Sequence, residues 1–101
     1  MNNLIEIGID KETIDEMIEN HGVRKIAYLN KEYKGVYRIL DIFKQLLISE
    51  DNINSLLIEM PDIFSMDYNK FISKIRDKDL KEISRIINED YEEAYDMFLK
   101  D

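Results

Sequence analysis

The stretch from Leu46 to Ile75 constrains the fold most, because it holds the only proline of the chain between two short amphipathic segments. Ser49 is placed to accept a hydrogen bond from free backbone N–H groups and predicts a helix start. Pro61 ends that helix, since its ring clashes with the preceding turn. Asp67 predicts the start of the next helix. The two predicted buried stripes are Ile53, Leu56, Leu57 and Met60, and Tyr68, Phe71, Ile72 and Ile75.

Length and composition predict one ordered domain over residues 1–101. Apolar residues make up 45% of the chain and charged residues 36%, which is enough apolar material for a core. The chain has no cysteine, so disulfides and thiolate zinc sites are excluded. The N-terminus lacks the regions of a signal peptide, and no apolar run approaches the roughly 20 residues that span a bilayer. We therefore expect a cytoplasmic protein that does not bind membranes.

The N-terminal third gives mixed signals. Residues 4–9 alternate apolar and other side chains, which favours a short extended segment over a helix. Asp10 as an N-cap and Gly22 as a left-handed residue after the last turn predict a helix over residues 11–20. Residues 23–29 have no clean period, so a short helix, an extended connector and a strand paired with the N-terminal segment stay open.

The middle of the chain is predicted to form the longest helix, over residues 31–47. Asn30 is placed to cap its first turn. Gly35 lowers helix stability near that end, and we explain it by the close approach of a neighbouring helix. The apolar face of this helix is formed by Tyr33, Val36, Tyr37, Leu40, Phe43 and Leu47.

The C-terminal third reads as two helices or as one bent helix. Asp79 with Glu82 and Asp90 with Glu93 each have the spacing of a capping box, which signals two helix starts. The apolar residues nevertheless keep a near-continuous rhythm across Asp90. We expect a break near residues 88–90. The whole chain is thus predicted to be all-α, a compact bundle of about five short amphipathic helices, with or without an extended N-terminal segment.

Two parts of the chain match each other at an offset of 39 residues. Asp10 aligns with Ser49, each preceding a predicted helix. Any two capped amphipathic helices match in this way, so an internal repeat and chance both stay open. The aligned apolar residues are Ile9, Ile14, Met17 and Ile18 with Ile48, Ile53, Leu56 and Leu57.

Residues 46–75 resemble one helical repeat of the mitochondrial transcription termination factor family. The shared order is an apolar pair, a short turn, a helix with isoleucine, a proline, an aliphatic residue and a second helix. Leu47 stands where the family usually has glycine. The basic concave surface that many repeats form is absent, so nucleic-acid binding is not carried over from the family. The matching residues are Ile48, Ile53, Leu56, Leu57, Pro61, Ile63, Phe64, Phe71 and Ile75.

Catalytic and metal-binding patterns are lacking. His21 is the only histidine, and its place beside Gly22 suits a side chain that interacts with free carbonyl groups at a helix end. The acidic clusters at Asp62 and Asp67 and at residues 89–96 lack the glycine-punctuated spacing of a calcium loop. We expect no catalytic activity, no metal site and no cofactor.

Charge is distributed in alternating acidic and basic segments, although the net charge is −8. The simplest interpretation is that neighbouring segments complement each other's surface charge in the fold. The basic residues between positions 24 and 38, which we call the basic strip, alternate with Tyr28, Tyr33 and Tyr37 and suggest nucleic-acid binding as an alternative function. The net charge opposes this, because it repels phosphate at long range. The basic strip comprises Arg24, Lys25, Lys31, Lys34 and Arg38.

The acidic C-terminal segment leads to the function that we favour. Carboxylates surround two tyrosines at i and i+4, a pattern that suits docking on a basic protein surface by charge steering and aromatic anchors. We expect a small acidic protein-interaction module, of the inhibitor or immunity type, with no prediction of its oligomeric state. The simpler reading is that the tyrosines pack and the carboxylates face water. This acidic patch comprises Glu89, Asp90, Tyr91, Glu92, Glu93, Tyr95 and Asp96.

Overall fold

The computed structural model describes residues 1–100, and over this range the backbone forms helices and turns with no β-strand. The all-α class is therefore confirmed, whereas the predicted number of about five helices is wrong, because short interruptions divide the chain more often than its apolar rhythm indicated. Asp101, at the end of the predicted domain, lies outside the described residues. The elements are α1 (Asn2–Glu6), α2 (Lys11–His21), α3 (Val23–Lys31), α4 (Tyr33–Gln45), α5 (Glu50–Glu59), a 3₁₀ helix (Pro61–Ser65), α6 (Tyr68–Ile75), α7 (Leu80–Glu89) and α8 (Tyr91–Phe98).

The predicted extended segment over residues 4–9 is wrong, because its first half belongs to α1. The Asn30 side chain stabilises this short helix by accepting a hydrogen bond from the Leu4 backbone N–H at 3.1 Å. Leu4 is fully buried, whereas Ile5 is exposed, so the apolar alternation does not correspond to two faces of a strand. Asn30 itself lies within α3 and does not cap the following helix.

Residues 23–29 are helical, so the extended and strand alternatives are wrong. Gly22 joins α2 directly to α3 with φ 92° and ψ 152°, a conformation that L side chains rarely adopt. Ile26 and Leu29, three residues apart, form the buried side of α3. The predicted helix over residues 31–47 is shorter in the structure, since α3 extends to Lys31 and α4 ends at Gln45.

Side-chain caps define four of the helix starts. The Ser49 hydroxyl accepts from the Asn52 N–H at 3.2 Å, as predicted, and Pro61 follows the end of α5. Asp10 precedes α2 but makes no side-chain capping bond. The predicted break near residues 88–90 is confirmed, because Asp90 separates α7 from α8. The other capping carboxylates are Asp67, Asp79 and Asp90, which accept from the N–H groups of Lys70, Lys81 and Glu93.

Four phenylalanines tie the second half of the molecule together. The Phe43 ring on α4 meets the Phe64 and Phe71 rings edge to face, each with centroids 5.5 Å apart. Phe71 in turn stacks on Phe98 at 5.3 Å. Edge-to-face and offset-stacked rings are the favourable arrangements of aromatic pairs. The 3₁₀ helix, α6 and α8 are thereby anchored on α4.

The first half is attached through α2, which packs along α5. The radius of gyration is 12.7 Å, close to the roughly 13 Å of a compact domain of this length. In the described part of the chain, no helix has the length and apolar character needed to cross a membrane.

The two segments that match at an offset of 39 residues share the same local geometry. Gly8 after α1 and Leu47 after α4 both have positive φ, at 106° and 61°. In each case the next residue, Ile9 or Ile48, is buried and donates its N–H to a carbonyl five residues earlier. This is the Schellman pattern of helix termination. The aligned segments thus have the same turn, and their following helices, α2 and α5, pack on each other.

Candidate functional site

The acidic patch lies on α8 and the end of α7, with its tyrosines in solvent. Tyr91 is 42% exposed and Tyr95 is 50% exposed, whereas Ala94 and Phe98 fix the opposite side of α8 in the core. The tyrosines are therefore not part of the core. Both rings are available to contact a partner, next to the exposed carboxylate of Glu92.

Members of the acidic patch differ in what they contact. Asp90 caps α8, and Glu93 forms an ion pair with Arg85 at 3.3 Å. Glu89, Glu92 and Asp96 are exposed and make no ion pair among residues 1–100. Since Glu93 already has a cationic partner, these three carboxylates carry the free negative charge of the patch.

A cleft of about 430 Å³ extends this surface beyond α8. Tyr91 forms one side of it, and Glu16 of α2 and Glu59 of α5 contribute carboxylates. Residues from three separate helices thus surround one concave, acidic site. The remaining lining residues are Asn20, Ser55 and Ile58.

Glu16 and Glu59 were not among the residues predicted from sequence. One local signal was present, because Glu59 lies in the last turn of α5, where the negative end of the helix dipole disfavours a carboxylate. Glu89 occupies the same unfavourable position at the end of α7. Glu16 carries no such signal, since only tertiary packing places it in the same cleft as Tyr91.

His21 has a structural role in holding the walls of this cleft. Its Nε2 lies 2.6 Å from the Ile58 carbonyl oxygen and donates a hydrogen bond to it, because a carbonyl oxygen can only accept. The carbonyl belongs to the last turn of α5, where helical partners are lacking. His21 therefore binds a free carbonyl group at a helix end, as predicted, but the carbonyl belongs to the neighbouring helix α5. The hydrogen bond joins the end of α2 to α5.

The basic strip is divided between α3 and α4, and two of its cations are engaged within the chain. Lys25 forms an ion pair with Asp62 at 3.1 Å, and the Arg38 guanidinium lies 3.7 Å from the centroid of the Tyr68 ring. Arg24, Lys31 and Lys34 are exposed without an ion pair in the described structure. Tyr28 and Tyr37 are also exposed. The strip therefore presents fewer free cations than its sequence indicated.

No group of three or more histidine, aspartate or glutamate side chains in residues 1–100 is arranged to hold a metal ion. Comparison with protein-family models, with curated proteins and with solved structures gives no match. The resemblance of residues 46–75 to a helical repeat of the mitochondrial transcription termination factor family therefore stays a prediction.

Proposed function

We propose that this chain is a small, non-catalytic protein-interaction module that docks its acidic surface on a basic surface of a partner protein, as inhibitor and immunity proteins do. The observation that carries the proposal is the exposure of Tyr91 and Tyr95 among carboxylates from α2, α5 and α8. A cytoplasmic location is part of the same proposal.

Charge and shape support this surface over others on the molecule. Exposed aromatic rings beside a cleft supply the anchors that dominate binding energy at protein interfaces. The surrounding carboxylates steer a cationic partner during association, and the net charge of −8 adds to the same field. The cleft between Glu16 and Glu59 has a size and charge that suit an arginine or lysine side chain of the partner.

The test is quantitative affinity capture from the host lysate followed by binding kinetics with the recovered basic protein. We expect Glu92→Lys/Asp96→Lys to reduce capture by about tenfold or more and to lower the association rate, because both carboxylates are exposed and unpaired. Tyr95→Ala is expected to raise the dissociation rate through loss of an anchor.

The control is Glu6→Lys/Glu32→Lys, which changes the net charge equally at exposed positions on α1 and between α3 and α4. Capture that falls equally for both double variants would assign the effect to net charge. Capture that is unchanged for the α8 variant would refute the acidic surface as the docking site.

The alternative function is nucleic-acid binding by the basic strip, which the exposed rings of Tyr28 and Tyr37 favour as stacking surfaces. Its test is binding to a random DNA duplex and to single-stranded DNA at low salt. Arg24→Glu/Lys34→Glu should abolish that binding, and wild-type protein that binds neither strand form would exclude the function.

A further inference from the structure

Leu47 combines an exposed side chain with an unfavourable backbone conformation. Its φ of 61° lies in the left-handed region that favours glycine, and its side chain is 89% exposed. The matching turn after α1 has Gly8 at this position. The fold therefore does not require a leucine here, and the side chain buries almost nothing within the chain.

Two clefts flank this side chain. One, of about 400 Å³, runs along α4 and α5. Most of its lining is apolar, and Lys44 and Glu50 contribute one charge of each sign. The other, of about 420 Å³, lies against the start of α7, where Leu80 is 63% exposed and Lys81 contributes a cation. Leu47 lines both clefts, so it stands as an apolar projection between two grooves.

The shape of this surface, a projecting leucine between two grooves, suits an amphipathic helix. A projecting leucine fits between apolar side chains that recur at i and i+4 on a helix, as a knob fits a hole in helix packing. Neither Lys44 nor Lys81 makes an ion pair in residues 1–100, but Lys44 shares its cleft with Glu50, whereas the cleft of Lys81 has no carboxylate. Lys81 is therefore the cation that is free to meet an acidic side chain. A second copy of this chain is the other occupant, and the experiment distinguishes the two.

We propose that the surface formed by Leu47, Leu80 and their two clefts binds an amphipathic helix of a partner protein, with aliphatic side chains on either side of Leu47 and an acidic side chain on Lys81. This surface uses a different side of α5 from the acidic cleft and is independent of the function proposed above. Its failure would leave that function unaffected.

The probe is a fluorescent amphipathic peptide of about 18 residues, or five helical turns, with leucine on one face and glutamate on the other. Fluorescence anisotropy compares it with a peptide in which lysine replaces every glutamate. We expect the glutamate peptide to bind. In NMR spectra of the protein, the backbone amide shifts that change on binding should centre on Leu47 and Leu80. Preferential binding of the glutamate peptide is a stringent result, because the net charge of the protein favours the lysine peptide.

Leu47→Gly separates binding from folding. We expect at least a tenfold loss of affinity for the glutamate peptide together with a Tm that rises by about 4 to 8 °C, because glycine relieves the backbone at this position. Lys81→Glu is expected to weaken the same peptide and to leave the Tm within about 2 °C, as usual for an exposed charge.

Several results would overturn the proposal. They are a lower Tm for Leu47→Gly, unchanged affinity of that variant, shift changes centred elsewhere, and no binding of the glutamate peptide at about 1 mM, where weak complexes form. Size-exclusion chromatography tests the other occupant. A wild-type dimer that Leu47→Gly converts to monomer would assign the surface to a second copy of this chain.

Discussion

Single residues in this molecule are distinguished most clearly by their backbone conformation. Gly22 has φ 92° and ψ 152°, and a Cβ built there would meet no atom within 4 Å. Gly35 lies in α4 at a helical φ, and its Cβ would also meet nothing within 4 Å. The predicted close approach of a neighbouring helix at Gly35 is therefore wrong. Both glycines have space for a side chain, so they differ only in backbone conformation.

The matched substitutions Gly22→Ala and Gly35→Ala should change stability in opposite directions. Gly22→Ala is expected to destabilise by about 1 to 3 kcal/mol, because alanine is strained at this φ and ψ. Gly35→Ala is expected to stabilise by about 0.5 to 1 kcal/mol, because alanine loses less backbone entropy in a helix. Urea denaturation measures both free energies of unfolding. If both substitutions raised, or both lowered, the free energy of unfolding, the backbone conformations assigned to the two glycines would be contradicted.

At the scale of elements, the helix termini decide how the chain is divided. Asp90 is both the C-cap residue of α7 and the N-cap residue of α8. Its carboxylate accepts a hydrogen bond from the Glu93 N–H at 3.0 Å. The side chain of Glu93 turns away to Arg85. A single carboxylate thus supports the start of the helix that carries Tyr91 and Tyr95.

Asp90→Ala should loosen α8 with little effect on α2 and α5. The expected loss is about 1 kcal/mol, the usual contribution of an N-cap acceptor. Native-state hydrogen exchange is the measurement, and the amides of residues 93–98 should show the larger increase in exchange rate. Asp90→Asn keeps a capping acceptor and serves as the control. Equal protection of α8 in both variants would show that the cap is not what holds this helix.

At the scale of the whole molecule, charge is partly balanced between segments. Lys25 pairs with Asp62, and Arg85 pairs with Glu93, so in each case a basic segment meets an acidic one. This supports the interpretation of the alternating charges. Exposed pairs of this kind contribute only about 0 to 1 kcal/mol each, however, and a net charge of −8 remains.

Added sodium chloride should therefore stabilise the protein. Between about 0.01 M and 1 M ionic strength the Debye length falls from about 30 Å to about 3 Å, which removes long-range repulsion among the carboxylates. We expect a gain of about 1 kcal/mol, or a Tm rise of about 4 to 8 °C. Glu6→Lys/Glu32→Lys has a smaller net charge and should show a smaller rise. A falling Tm would mean that ion pairs outweigh the repulsion.

The sequence by itself determined the helical class, the caps at Ser49, Asp67 and Asp90, and the stop before Pro61. Each of these depends on interactions within about four residues, so the pattern that encodes it is visible in a short window. The exposure of Tyr91 and Tyr95 in the acidic C-terminal segment was predicted only as one of two alternatives. The burial of Phe98 and Ala94 decided it by fixing which side of α8 faces the core.

Only the tertiary structure decided the features that join distant positions. The helix α1 depends on Asn30, 26 positions from Leu4, and the alternating local pattern pointed to an extended chain instead. The acidic cleft exists because α2 and α7 both pack on α5 and α8 packs on α7, which places Glu16, Glu59 and Tyr91 around one cavity. The prominence of Leu47 depends on the clefts around it. Packing between remote segments creates these surfaces, and no local periodicity records it.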